Sequence, residues 1–236
     1  MSKLNNILLI FVLNLKIKIM ATQKFGPLGP FSGKLGKVIG YVDKKGKQRL
    51  RTVGEHIFNE PSDKLLSSWE KTSMTAAFLK PVVEFVRIGL ALEADIQDMS
   101  AYNLGSSLTR KAIIGQYPDL EIDFSKVLFS AGKMPAVKNA EVIATENGLM
   151  FAWDNNDLQD GTLLTDRAML MAYLPDDKKA FFSRSGAKRK QGYDYLEIPL
   201  IPAGQRVETY ISFNAEDMKS ISNSVYTGQL IFADVT

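Results

Sequence analysis

The chain has 236 residues, 45% hydrophobic and 23% charged, with a formal net charge of +3. That suits two small domains or one large one, and it is too balanced in charge for a disordered chain. Cysteine is absent, which excludes disulfides, thiolate metal sites and cysteine nucleophiles.

Behind Lys3 runs a short apolar stretch, Leu8 to Leu15. It is too short to span a bilayer, which needs ~20 apolar residues. Lys16, Lys18 and then Met20-Ala21-Thr22 follow, where a signal peptide would place a small-residue cleavage site. We therefore expect residues 1–19 to be an extension outside the fold, either a stretch upstream of a true start at Met20 or a weak signal or membrane-surface segment. A start at Met20 implies a cytoplasmic protein.

Glycine then recurs at positions 26, 29, 33, 36, 40 and 46, with Pro27 and Pro30 among them. This density argues for turns and close backbone approach, against a helix. Val38–Val42 reads as a strand, Asp43-Lys44-Lys45-Gly46 as a turn, and Lys47–Val53 as the returning strand of a β-hairpin. Alternation puts Gln48, Leu50 and Thr52 on one face and Lys47, Arg49, Arg51 and Val53 on the other.

A helical middle follows. Glu60-Pro61-Ser62-Asp63 is a helix start ahead of Leu65, Leu66, Trp69, Met74, Ala77 and Phe78. Pro81 interrupts, and Val82 to Leu92 reads as a second helix kinked there. Met99 to Ile114 reads as a third, with Tyr102, Leu104, Leu108 and Ile113 inward, ended by Gly115. The period then changes to two. Leu120–Phe124 alternates and Val127–Phe129 extends it.

After a short linker at Gly132–Pro135 come seven expected strands: Ala140–Thr145, Leu149–Trp153, Arg167–Leu174, Lys179–Phe182, Tyr193–Pro199, Val207–Asn214 and Val225–Phe232. Strands at such spacing favour a sandwich. Trp153 and Trp69 are read as core residues. The expected organisation is a glycine-rich hairpin and helical domain over 20–132 and a β-sandwich domain over 133–236.

The catalytic motifs are weak. Gly29 to Gly33-Lys34 approaches a phosphate-binding loop, but one residue is missing between the glycines and Leu35 replaces the Ser/Thr for magnesium. His56 is the only histidine, and no Gly-x-Ser-x-Gly elbow accompanies it. Asp154, Asp157 and Asp160 cluster in an Asn-rich loop, without the spacing or the bidentate glutamate of a calcium-binding EF-hand. Glu121 and Asp123 share a strand face, as any half-exposed strand would show. No cofactor or metal is expected.

The basic residues are more informative. Lys34, Lys37, Lys44, Lys45, Lys47, Arg49 and Arg51 face one acid, Asp43, between Gly33 and Arg51. Such a ribbon can follow a phosphate backbone, contact a subunit, or form a solvated strand face. Only Tyr41 is nearby to stack a base. A second run, Arg184 to Lys190, reads as a solvated hairpin tip.

Two resemblances add to this. Trp153 in the second strand, the Ile201-Pro202-Ala203-Gly204 corner and the strand from Val207 to Phe213 resemble a fibronectin type III-like or immunoglobulin-like module. The family's corner tyrosine would fall at Val207; here Tyr210 stands three residues later. Gly29-Pro30-Phe31-Ser32-Gly33-Lys34-Leu35-Gly36-Lys37-Val38-Ile39-Gly40 resembles the signature of an uncharacterised bacterial family of unknown function. Ala112–Asp119 and Ser222-Asn223-Ser224-Val225-Tyr226 match its later motifs.

The expected fold is α+β: a glycine-rich hairpin and helices, then an immunoglobulin/fibronectin III-like sandwich. The expected function is non-enzymatic, an assembly subunit or adaptor that self-associates or binds a protein partner. Its arm contacts would come from Phe25, Leu28 and Phe31. The alternative is nucleic-acid binding through the basic hairpin 34–51.

Overall fold

A computed structural model describes residues 21–23, 26, 29–43, 45–54, 60–145, 147–155, 159–199 and 204–232. The fold is mixed α+β and mostly β. The chain forms two compact units, Met1–Glu60 and Pro61–Thr236.

The described residues of the first unit form an antiparallel sheet in the order β1(Ala21–Gln23), β2(Phe31–Leu35), β3(Val38–Val42), β4(Gln48–Thr52). The expected hairpin is β3–β4, extended by two further strands. Gly36 turns the chain between β2 and β3 at φ 59, a left-handed conformation natural to glycine. The reading of residues 1–19 and of Phe25, Leu28, Lys44 and His56 lies outside the described residues.

The second unit opens with α1(Asp63–Leu79), whose first turn bonds the Leu65 and Leu66 amides to the Ser62 carbonyl. A 3-10 turn over Lys80–Val82 carries Pro81, and α2(Val83–Gly89) and α3(Ala91–Ile96) follow. The kink expected at Pro81 is thus a 3-10 turn, and a second break falls at Leu90. Gly89 lets α2 touch the chain beyond it: a Cβ there would stand 2.2 Å from the Phe129 carbonyl oxygen.

The third helix is shorter than its pattern. α4(Ala101–Lys111) is capped by Ser100, and Ile113 begins a strand. β5(Ile113–Gln116) pairs with β6(Asp119–Ile122) across a cis Tyr117–Pro118 bond. Two β-branched isoleucines ahead of a proline favour that hairpin over more helix. Of the residues expected inward, Leu104 and Ile113 are buried, Leu108 is half-buried and Tyr102 is exposed. A 3-10 turn over Phe124–Lys126 ends β6, so Val127–Phe129 does not extend it.

Seven strands follow: β7(Glu141–Thr145), β8(Gly148–Ala152), β9(Arg167–Leu174), β10(Lys179–Ser183), β11(Tyr193–Glu197), β12(Arg206–Asn214) and β13(Val225–Ile231). They form two antiparallel sheets, β10-β9-β12-β13 and β11-β8-β7. On β9, Ala168, Leu170, Ala172 and Leu174 share a core with Leu149, Phe151 and Leu196 of the other sheet. The alternate residues Met169, Met171 and Tyr173 share a second core with Phe78, Leu79, Phe85 and Leu90 of the helices. The four-stranded sheet is therefore covered on both faces, which explains why β9 reads as a nearly continuous apolar run and why β12 is buried from Val207 onward although Glu208, Thr209 and Ser212 interrupt its apolar residues. The helices stand with these strands in one unit because their apolar stripe has this sheet face to bury.

Trp69 departs from expectation. It is 56% exposed, because it precedes the buried Phe78 by two and a half turns at ~3.6 residues per turn. It therefore sits on the opposite side of α1. Trp153 is buried, as its strand pattern indicates.

Candidate interaction surfaces

The β3–β4 register pairs Tyr41 with Arg49, Gly40 with Leu50 and Ile39 with Arg51. The β2–β3 register pairs Lys34 with Ile39 and Leu35 with Val38. Cross-strand partners share a face. One face of the first unit's sheet thus carries Lys34, Ile39, Tyr41, Arg49 and Arg51. The other carries Phe31, Leu35, Val38, Val42 and Leu50, with the uncharged Gln48 and Thr52.

The apolar face is open to solvent: Leu35 is 60% exposed and Leu50 61%. Phe31 lies over Gly40, whose place it closes to any Cβ. The Gln48 amide reaches across β3 to the Phe31 carbonyl at 3.1 Å, tying β4 to β2.

The basic residues take several positions. Lys37 sits in the β2–β3 turn, where its carbonyl accepts the Val53 amide at 2.8 Å. Asp43 organises the β3–β4 turn. It accepts the Lys45 and Lys47 amides at 3.0 and 2.9 Å and pairs with the Arg49 guanidinium at 3.1 Å. The Lys47 amide bond is the chief reason that its carboxyl lies below the usual range, with Arg49 adding to it. Lys34 and Arg51 share a face with Arg49; Lys45 and Lys47 stand at the turn.

The second unit holds residues that the sequence reading passed over. Arg189, expected in a solvated tip, is buried. Its guanidinium lies 3.3 Å from Asp166 and 3.9 Å over the centre of the Phe213 ring. Its carbonyl accepts the Trp153 indole N–H at 2.8 Å. Burial lowers its pKa, and Asp166 counters part of that shift. No motif announces this pair, since Asp166 and Arg189 lie apart in sequence and meet only through the β9 connections. Of the rest of that basic run, Arg184 and Lys190 are exposed, and Lys188 reaches Glu216 at 3.4 Å.

A second buried acid, Glu208, accepts the Tyr226 hydroxyl at 2.6 Å on the sheet face toward the helices. Burial raises the Tyr226 pKa, and the bond to Glu208 raises it further. Tyr210 beside it donates to the Phe124 carbonyl at 2.8 Å. Glu121 and Asp123 separate in role. Glu121 stays on β6, whereas Asp123 caps the following 3-10 turn and pairs with Lys126 at 2.7 Å.

Among the described residues no group of three or more His, Cys, Asp or Glu side chains is placed to hold a metal ion. Asp157 of the Asn-rich loop lies outside them. No described helix is long and apolar enough to cross a membrane.

A sequence profile for a family of unknown function, DUF6266, matches residues 30–228. The chain belongs to the DUF6266 family. No curated protein and no solved structure matches it.

The DUF6266 match runs from β2 to β13 and so takes in both compact units. Within it, Ser222-Asn223-Ser224 ties the chain from Phe129 to Gly132 onto the β12–β13 connection. The Ser224 hydroxyl accepts the Phe129 amide at 2.9 Å, and the Asn223 side chain accepts the Gly132 amide at 3.0 Å. The Ser130 hydroxyl donates to the Ser222 carbonyl at 2.8 Å. These side chains satisfy buried backbone groups of an irregular segment, so their role is structural.

Proposed function

We propose that this DUF6266 protein is a non-enzymatic assembly subunit or adaptor that associates through its N-terminal sheet. The observation that carries the reading is the open apolar face of Phe31, Leu35, Val38, Val42 and Leu50. A small sheet with one uncovered apolar side gains little from folding alone, and burying that side against a partner supplies what is missing. The occupant we assign is a second copy. Among the described strand residues the face bears no charge, while Lys34, Arg49 and Arg51 lie on the opposite face, so two copies can meet apolar side to apolar side with these cations apart.

The test is light scattering on the full chain. The native protein is expected to run above its 26.2 kDa monomer mass. Leu35→Lys with Leu50→Lys should return it to monomer, with dimerisation at least about 100-fold weaker because two ammonium groups would be buried without partners. A native protein that stays monomeric at high concentration overturns self-association.

A fibronectin type III-like module is the second part of this proposal. The seven strands divide four and three, and the fourth, β10, pairs with β9 rather than with β11. The immunoglobulin constant pattern places its fourth strand on the other sheet, so this order favours the fibronectin type. Tyr210 does not supply the corner bond of that family, since its hydroxyl goes to Phe124. The Pro202-Ala203 corner lies outside the described residues. Modules of this kind commonly bind or connect, which suits an adaptor.

A second reading, contact with nucleic acid, rests on one observation. Tyr41 shares the basic face with Lys34, Arg49 and Arg51, which puts a stacking ring among phosphate-binding cations. If three phosphates are neutralised there, affinity should fall about 40-fold between ~50 and ~200 mM salt. Replacing Lys34, Arg49 and Arg51 by Ala should remove most binding and flatten that slope. Binding that ignores both salt and these substitutions would refute this reading.

A further inference from the structure

We infer that the cavity bounded by α1, the end of β6 and the β9–β10 turn is a binding site for a small aromatic carboxylate. The cavity measures about 430 Å³, within the ~300–1,000 Å³ usual for small-molecule sites. All of its lining residues belong to the second unit, and its test does not rest on the assembly reading.

Three rings build its wall. Phe78 stands 4.8 Å from Tyr173 and 6.1 Å from Phe124, and Phe124 stands 5.8 Å from Tyr173. Each ring is braced by the other two, so the wall is set before any ligand arrives. Met74, also lining the cavity, adds an adaptable side chain. A flat apolar body fits such a surface, because tilted and edge-to-face ring contacts are favourable.

The polar groups define the head of the ligand. Three tyrosines lie on this side of the four-stranded sheet. Tyr210 and Tyr226 donate to the Phe124 carbonyl and to Glu208. Tyr173 lines the cavity and is only 4% exposed; no described residue accepts from its hydroxyl, which is not one of the fully buried unpartnered atoms and so keeps contact with solvent. A largely buried tyrosine normally finds a hydrogen-bond partner for its hydroxyl. Burial pushes its pKa up to about 12, so it remains a donor at neutral pH.

Lys178 and Arg206 also line the cavity. Arg206 is held by Asp176 at 2.7 Å, while the Lys178 ammonium has no ion-pair partner among the described residues. Lys178 sits in the β9–β10 turn at φ 52, a backbone conformation uncommon for lysine. Glu121 is the one acid of the lining, and Asp176 neutralises Arg206, so the charges of the lining and this ion-pair partner balance, with Lys178 the cation that no described carboxylate pairs. The two lining groups that no described residue pairs, the Tyr173 hydroxyl and the exposed Lys178 ammonium, are both donors. An anionic acceptor answers both at once.

The experiment is an amide NMR titration of the full chain with 3-phenylpropionate, beside its neutral amide and phenethylamine. The carboxylate is expected to shift the Phe124, Tyr173 and Lys178 amides with a millimolar or tighter Kd. The neutral amide should bind about fivefold more weakly and the amine not at all. Tyr173→Phe keeps the ring and its packing, and should weaken the carboxylate about fivefold with an unchanged melting midpoint. Lys178→Met should do the same from an exposed position. Absence of shifts at about 10 mM ligand overturns the site. Equal binding of acid and amide, or of the native chain and both variants, overturns the carboxylate assignment.

Discussion

Trp153→Ala is expected to destabilise the second unit by about 3–5 kcal/mol, the range for deleting a large core ring. Trp153 is 6% exposed and stacks edge-on to Phe213 at 5.2 Å between ring centres. Deleting the indole leaves a cavity among Leu149, Phe151 and Phe213, which belong to the same core. It also takes one of two donors from the Arg189 carbonyl, which keeps the Gly192 amide at 3.2 Å. The melting midpoint should fall by roughly 6–20 °C for a unit of this size. Fluorescence gives a second check. The chain has two tryptophans, and the variant keeps only the exposed Trp69, so its emission should move to longer wavelength. Trp153→Phe should cost less, because most of the ring contact remains and only the N–H is lost. A midpoint unmoved by Trp153→Ala would mean that this ring is not part of the core.

The seven strands were legible because turn residues punctuate them and β-branched or aromatic residues fill them. Arg167–Leu174 and Val207–Asn214 could be placed as strands, but not as strands covered on both sides. That property comes from the helices, whose own pattern does not say what they cover. Trp69 shows the limit of composition: an aromatic residue was assumed to be inside, although the helical period puts it opposite Phe78. Ile113 and Ile114 show the limit of periodicity, since both helix and strand tolerate them and the partner strand at Asp119–Ile122 decides. The basic ribbon was visible, including the split of Arg49 and Arg51 from Gln48, Leu50 and Thr52, whereas Lys47 lies in the turn ahead of the strand. What the sequence did not suggest is that Leu35, Val42 and Leu50 would be left in solvent, because apolar alternation normally signals a covered face. Tyr173 could not be singled out either. Its unanswered hydroxyl is conspicuous only beside Tyr210 and Tyr226, whose partners are contributed by distant segments.

Arg189→Met should cost about 3–5 kcal/mol, the usual penalty for removing one partner of a buried ion pair. The side chains of Arg189 and Asp166 are 5% and 1% exposed, so solvent cannot take over the lost interaction. Methionine replaces much of the volume and keeps an apolar contact with Phe213, which isolates the electrostatic loss. One Asp166 oxygen accepts both the Leu163 amide at 2.8 Å and Arg189. Its other oxygen is buried with no partner. Asp166 therefore leans on Arg189 for compensation more than a fully hydrogen-bonded carboxylate would. Asn in its place keeps an acceptor for Leu163 and removes the charge. The double variant Arg189→Met with Asp166→Asn is accordingly expected to be at least about 2 kcal/mol more stable than Arg189→Met alone. Urea unfolding of the native chain, both single variants and the double variant closes the cycle. If the two losses simply add, the pair is not coupled, and Arg189 acts by covering Phe213 and holding Trp153 through its carbonyl. If the double variant recovers, the charge pair is the reason that an arginine lies inside this end of the two-sheet core.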